Sequence, residues 1–208
     1  MGPRTALAVT RHDPGERPGF VYDFGTPEAY LALERLVEVL RTVPELIPVH
    51  ADALPGGGGI EGFRCEEDRR IWMAEMERLA ARRGLQALRW PDPWPPDTEL
   101  AALAATYARG IGKVAAFSLA AFRQAYAGGR DLADRDTVLI AAAACEIHPR
   151  ALLAALERRG IREALEAATA QAAAAGVRAL PALLAGGRVF AGDAGLEQAA
   201  AVLAGRAR

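Results

Sequence analysis

Apolar positions recur along this chain in two rhythms. Phe20–Phe24 (FVYDF) is a short aromatic and β-branched run closed by Gly25, which predicts a strand. From Glu28 to Arg41 the interval lengthens. Tyr30, Leu33, Val37 and Leu40 fall at helical spacing, so a helix is expected there, ended before Pro44. Thr26-Pro27 heads it: threonine suits an N-cap, and proline suits the first helical position because its missing N–H is not needed there. Glu45–Ala51 (ELIPVHA) predicts a second strand, with Pro48 marking an edge or irregular position.

A flexible connector follows at Pro55–Gly59. It lacks the lysine and hydroxyl of a phosphate loop. Glu66–Arg83 then predicts an amphipathic helix, with Ile71, Met73, Met76, Leu79 and Ala80 near one face and Gly84 closing it. Its arginines, Arg69, Arg70, Arg78, Arg82 and Arg83, alternate with glutamates and are expected on a solvated ion-pair surface. Trp90–Pro96 (WPDPWPP) cannot be helical, since proline disfavours helix in the residue before it. Helices are expected from Asp97 or Thr98 to Arg109, and over Gly112–Ala127, Asp134–Cys145, His148–Arg159 and Ile161–Ala175. The rhythm then shortens again. Leu180–Leu184 and Arg188–Ala191 predict strands joined by Ala185-Gly186-Gly187, a hairpin signal, before a last helix over Asp193–Ala204.

The order is strand, helix, strand, a helical block, then helix, strand, strand, helix. Without the block this is the thioredoxin fold, so the expected class is α/β, a thioredoxin fold (βαβ…αββα) interrupted by an all-helical insertion domain. The expected division is a loose N-terminal arm at 1–19, a thioredoxin-like domain at 20–62 and 160–205, and a helical insertion domain at 63–159.

Composition narrows the chemistry. The 208 residues are 51% hydrophobic and 25% charged, with net charge −1, so nothing suggests a nucleic-acid surface. No apolar run is long enough to span a bilayer, and the first residues are too polar for a secretory leader; a cytoplasmic protein with no membrane partner is expected. Alanine dominates, asparagine is absent, and lysine and serine each occur once, at Lys113 and Ser118, a bias that points to GC-rich codons. A Schiff base would have to use Lys113, and a serine nucleophile Ser118. Cys65 and Cys145 form no CxxC pair and no zinc site. Cys65 lies beside Glu66 and Glu67, whose charge opposes a thiolate. His50 and His148 have no third ligand at metal spacing, so no metal is expected.

FVYDFGTPEAYLALERL at 20–36 resembles the opening of the DsbA-like family, closest to its branch of 2-hydroxychromene-2-carboxylate isomerases and kappa-class glutathione transferases. GVRALPALLAGGRVFAG at 176–192 resembles the same family's second signature, a cis-proline, strand, glycine turn and strand. WPDPWPPDTELAALAA and GKVAAFSLAAFRQAYAGGRDLADRD resemble parts of its helical insertion. The resemblance implies that Thr26 takes the position of the redox cysteine, or of the hydroxyl that holds the thiolate of bound glutathione. Pro27 then matches the family proline, and Ala29 stands where a second cysteine would be. Dithiol exchange needs an attacking and a resolving thiol, and neither is in place. Thr26 alternatively is a helix cap and nothing more.

The resemblance also implies a cis Leu180–Pro181 peptide beside that helix end, with the Leu180 backbone pairing to a cysteinyl backbone in the ligand; a trans proline opening a strand is the other reading. Gly192 and Asp193 fall where glutathione-using relatives start their last helix, but the Asp-Ser or Asp-Arg pair those relatives carry aligns with Ala194-Gly195, leaving Asp193 offset by one. The lysine many of them have in the loop at 51–62 is missing, with Arg64 the candidate to stand in for it. Asp97 and Thr98 either face substrate or cap a helix. Trp90 and Trp94 either line an aromatic substrate pocket or pack the domains. Asp23 is either a pKa-shifted acid near substrate or an outward-facing strand residue. Tyr22, Tyr30 and Tyr107 are expected in the core with their hydroxyls at the surface.

Together these imply a small-molecule, aromatic substrate and glutathione or another low-molecular-weight thiol as cofactor, in an isomerase or transferase. The alternative is a redox-inactive relative that binds a peptide or small molecule without chemistry. Members of this branch are often homodimers, which the sequence itself neither requires nor opposes.

Overall fold

The computed structural model describes residues 17–57, 63 and 65–206. Most of the expected arm, the glycines at 58–59 and Arg64 lie outside the described residues. The sheet has four strands, β1 (Gly19–Tyr22), β2 (Glu45–Pro48), β3 (Ala182–Ala185) and β4 (Arg188–Ala191), in the order β2-β1-β3-β4. β1 runs parallel to β2 and antiparallel to β3, and β3 and β4 form an antiparallel hairpin. Gly186 and Gly187 turn that hairpin in the left-handed region, with φ of 62° and 75°, which glycine tolerates without a Cβ clash. Pro48 is on β2, an edge strand, where its missing N–H breaks no ladder.

β1 is buried on both faces, and its alternation separates two cores. Phe20 and Tyr22, with Phe24 beyond the strand, join Leu183 and Phe190 in one. Val21 joins Val49, Leu180, Ala182 and Leu184 in the other. The first core is shared with α1 (Pro27–Leu33), α4 (Glu99–Gly110) and α5 (Val114–Phe122). The second is closed partly by α8 (Arg159–Ala174) and the single turn Ala51–Ala53. α2 (Leu36–Leu40), α3 (Glu66–Arg82), α6 (Arg135–Ala143), α7 (Pro149–Leu156) and α9 (Gly195–Arg206) complete the described helices. No helix among the described residues is long and apolar enough to cross a membrane.

Several expected elements are shorter or broken. The helix expected over 28–41 divides between Leu33 and Leu36, and Arg41 ends its second part at φ 53°. The break rotates Val37 off the buried stripe, and it is 54% exposed. The second strand stops at Pro48, since Val49 is the last residue to bond back to Tyr22 before the chain turns. The helix expected to run from Gly112 to Ala127 starts at Val114, and its last turn, Arg123–Ala127, widens into a π-type turn. Leu180-Pro181 precedes β3 rather than opening it. Ile71 is largely exposed, so the apolar face expected on α3 is narrower than its spacing suggests.

Candidate active site

The C-terminal end of β1 carries the residues that matter. Asp23 follows the strand and is fully buried, which overturns the outward-facing reading. Its carboxylate accepts from three donors: Gly25 N–H at 2.6 Å and the Thr98 hydroxyl at 2.9 Å on Oδ1, and Ala51 N–H at 3.0 Å on Oδ2. Burial pushes its pKa up, and these bonds pull it back, leaving it above the ordinary carboxylate range. Asp23 thus ties together the turn before α1, the turn after β2 and the head of α4. Asp23 is the hub of the loop, with both carboxylate oxygens engaged.

Two threonines stand at helix N-cap positions, and neither caps. The Thr98 hydroxyl is drawn to Asp23, while Asp97 supplies the cap by accepting Glu99 N–H at 3.0 Å. Asp97 is exposed and lines a cavity of about 250 Å³ within the helical block, with Leu103, Arg135, Leu153 and Arg162. Its neighbour Thr98 is the one whose side chain is aimed at the end of the sheet. Thr26 precedes α1 with extended backbone, φ −117° and ψ 130°, and its side chain makes no cap bond. Thr26 is 7% exposed and its Oγ1 has no hydrogen-bond partner. A buried hydroxyl without a partner costs free energy, so the cap-only reading leaves Thr26 unexplained.

The pairing of Val21 with Ala182 brings Leu180-Pro181 to the same end of the sheet as Tyr22–Thr26. The Leu180–Pro181 peptide is cis, as are Asp92–Pro93 and Trp94–Pro95. The Pro181 carbonyl accepts from Gly192 N–H at 2.7 Å, which joins the proline loop to the end of β4. Asp193, next in the chain, is held by Arg83 through two bonds, one of them 2.9 Å, with both side chains mostly buried. Arg83 is therefore not part of a solvated surface, because the end of α3 folds against the β4–α9 turn. Gly195 packs close to the Phe190 backbone: a Cβ there would lie 2.7 Å from the Phe190 carbonyl. That contact has no room for the second side chain of the Asp-Ser or Asp-Arg pair that aligns with Ala194-Gly195.

Glu28, in the first turn of α1, escaped the sequence reading. Its Oε1 accepts the Trp72 indole N–H at 3.2 Å, and its Oε2 is buried with no partner. Burial, with some help from the charge of Asp193, raises its pKa above 4.5 despite bonds from its own backbone N–H and from Trp72. Trp72, also unanticipated, stands 5.4 Å and 5.8 Å centre to centre from Trp90 and Trp94, and the Phe63 ring meets it at a tilt, 5.1 Å away. Trp90 and Trp94 meet edge to face at 5.2 Å and both reach Tyr126. These two tryptophans thus pack against one another and against the helical block beside Glu28. A signal for Glu28 did exist: an acid two residues after an N-cap in an otherwise apolar segment.

The other rare side chains are engaged in structure. Ser118 is fully buried against the Tyr22 hydroxyl at 2.5 Å, and the Tyr126 hydroxyl donates to the Phe24 carbonyl at 2.9 Å. The Tyr22 hydroxyl is therefore inside, not at the surface, because α5 and the turn after it cover the sheet. Lys113 donates to the Cys145 and Glu146 carbonyls beyond the end of α6. His148 caps α7 through Nδ1, which accepts Arg150 N–H at 3.2 Å, and Cys65 Sγ accepts Asp68 N–H at the head of α3. Cys145 is buried.

Residues 19–204 match the DSBA-like thioredoxin domain family. The chain belongs to that family. Its structure is similar to that of a 2-hydroxychromene-2-carboxylate isomerase, with a TM-score of 0.81 over 92% of this chain and 96% of the other, at 16% identity. It also resembles a probable DsbA oxidoreductase from Streptomyces coelicolor, with a TM-score of 0.67, 19% identity and coverage of 91% and 90%. At those identities the likeness establishes the fold. None of the curated proteins compared matches the chain. Within this DSBA-like domain the first helix starts Thr26-Pro27-Glu28-Ala29, and the two cysteines are elsewhere, Cys65 exposed and Cys145 buried.

A pH prediction follows from Glu28. Its pKa is raised on folding, so its contribution to stability is fullest below about pH 4.5 and is lost as pH rises through the raised folded value. Glu28→Gln keeps an acceptor for Trp72 and carries no charge. Thermal melts across pH should show the variant melting above wild type at neutral pH, with the gap closing in acid.

Proposed function

We propose that this protein is a thiol-dependent isomerase or transferase of the DSBA-like family, acting on a small aromatic or enone substrate, with glutathione or a similar thiol held at Thr26. The observation that carries the reading is the Thr26 hydroxyl, buried without a partner at the sheet end where Leu180-Pro181 also emerges. A hydroxyl can donate one hydrogen bond to a sulfur anion. The residues fit the sulfur end of glutathione: Thr26 for the sulfur, Pro27 for the helix start, and the Leu180 backbone for the cysteinyl backbone. The other end fits less well. Asp193 is committed to Arg83, and Gly195 excludes a side chain, so Gly192 and its neighbours would contribute backbone only. When bound, a thiol supplies a nucleophile that adds reversibly to a conjugated carbonyl. The chain itself would hold the sulfur, orient the ligand backbone and exclude water with the Trp72, Trp90 and Trp94 rings.

The committed Asp193 favours a second reading, a redox-inactive binder of peptides or small molecules that performs no chemistry.

Thr26→Val separates these roles. Removing a partnerless buried hydroxyl should raise stability by about 1 kcal/mol, whereas losing a working cap would lower it by a similar amount. The same variant should weaken thiol binding about tenfold, the loss of one hydrogen bond to a charged group. Denaturant melts and calorimetry with reduced glutathione and cysteamine test both. Wild-type protein that binds neither thiol at millimolar concentration overturns the catalytic reading in favour of the second.

A further inference from the structure

A cavity of about 250 Å³ opens where α4 packs against α6, α7 and α8. Its floor is aliphatic: Leu100 and Leu103 come from α4, Leu153 and Leu156 from α7. Packing holds that floor from beneath. Leu103 is buried with Ala102 and Leu165 in a small core, against which Leu156 and Ile161 also pack. At about 250 Å³ the cavity is smaller than the roughly 300–1,000 Å³ that drug-sized ligands occupy, a size for a small metabolite.

Charges of both signs ring the floor. Arg162 of α8 pairs with Glu99 of α4, so these two are spent on each other. Arg135 and Glu157 are not. Both are exposed, both line the cavity, and neither side chain has a hydrogen-bond or ion-pair partner among the described residues. Opposite charges thus face one cavity without closing on each other. Arg135 is also badly placed for its own helix. It is the first residue of α6, at the positive end of the helix dipole, and Asp134 already caps that end by accepting Asp136 and Thr137 N–H. A side chain that breaks a local rule in this way is expected where it serves a site.

We propose that this cavity binds a free α-amino acid with an apolar side chain. The planar Arg135 guanidinium takes the carboxylate with a pair of N–H groups. Glu157 and Asp97 accept from the ammonium, which has three N–H groups to give. Asp97 gives Oδ1 to Glu99 N–H at 3.0 Å, leaving Oδ2 for the ligand. The leucines take the side chain. Charge selects this class over its neighbours. Asp97, Glu99 and Glu157 outnumber the two arginines of the lining, so a simple anion meets a net negative wall. A simple cation leaves Arg135 unpaired beside it. A zwitterion answers both. The site is built without Thr26, Pro27, Leu180 or the three tryptophans, so it stands apart from thiol binding.

Calorimetry of the full chain with L-leucine and L-phenylalanine tests this. Leucinamide, 4-methylpentanoate and glycine serve as probes that lack the carboxylate, the ammonium and the apolar side chain in turn. At least one of the two amino acids should bind in the millimolar range or tighter, and each truncated probe should bind about tenfold more weakly. Arg135→Gln and Glu157→Gln alter exposed side chains at helix ends, so both should match wild type by circular dichroism. Each should weaken binding of the amino acid about tenfold, the loss of one charge-assisted contact. Thr26→Val should leave that binding unchanged. Failure of wild type to bind either amino acid at millimolar concentration overturns the proposal. So does a truncated probe that binds as tightly as the amino acid, since the site then does not read a zwitterion with an apolar body. Wild-type affinity in either charge variant, or loss of binding in Thr26→Val, overturns it as well by putting the ligand elsewhere.

Discussion

Asp23→Ala is expected to lower stability by about 3–5 kcal/mol, since each buried donor left without its acceptor costs about 1–3 kcal/mol. Three donors lose their acceptor at once: the Gly25 and Ala51 N–H groups and the Thr98 hydroxyl. None can turn to water, since Asp23 is buried and Thr98 is nearly so. The bonds span three separate stretches of chain, so the loss is not confined to one turn. Asp23→Asn keeps a single acceptor oxygen and places an amide donor against an N–H group, and should fall between the two. Guanidinium unfolding of the three proteins gives the order directly. A drop of less than 1 kcal/mol for the alanine variant would show that Asp23 is not the hub. The functional consequence should track the structural one. With the Gly25 bond gone, the turn that presents Thr26 loses its fixed geometry, and thiol binding should weaken even where the variant remains folded.

Phe122→Ala should cost about as much, roughly 3–5 kcal/mol, by cavity formation in the core. Phe122 is fully buried at the end of α5. Its ring lies 4.7 Å from Phe24, 5.8 Å from Tyr22, and 6.3 Å from both Tyr30 and Tyr126, measured between centroids. Those four rings come from β1, the loop after it, α1 and the turn after α5, so one side chain joins the helical block to the element that carries Thr26. Truncation leaves a void that rigid aromatic neighbours fill poorly. Equilibrium unfolding measures the loss. A Phe122→Leu variant, which retains most of the volume, should recover more than half of it. Equal losses for both variants would mean that ring contacts, not volume, dominate.

The legible parts of the fold were those set by local rhythm. The period-two aromatic run at 20–24, the proline after Thr26 and the double-glycine turn at 186–187 each constrain a few neighbouring residues, and the sheet formed where they pointed. The less legible parts depended on contacts distant in sequence. Nothing near Glu34 marks the break between α1 and α2; there Glu34 pairs with Arg123, 89 residues away. Asp97 and Thr98 are adjacent and both suit a helix cap. Asp97 took the cap and Thr98 turned to Asp23, 75 residues earlier, a choice that no local rule could make. Arg83 looked like one more exposed cation on a charged helix until the β4–α9 turn brought Asp193 to it. Trp72 and Glu28 were missed for the same reason, because their meaning lies in their mutual contact across 44 positions.

By itself, the sequence determined the order of strands and helices and carried the motifs on which the family is matched. Those are properties of composition and short-range spacing, which survive without knowledge of neighbours. The tertiary structure decided which polar side chains are spent and which are left over. Thr26 and Thr98 are alike in sequence, a threonine at the head of a helix, yet one is bonded to a buried carboxylate and the other is buried with nothing to bond. Satisfaction of a buried hydrogen-bonding group depends on what the rest of the chain brings to it, and only the folded molecule settles that.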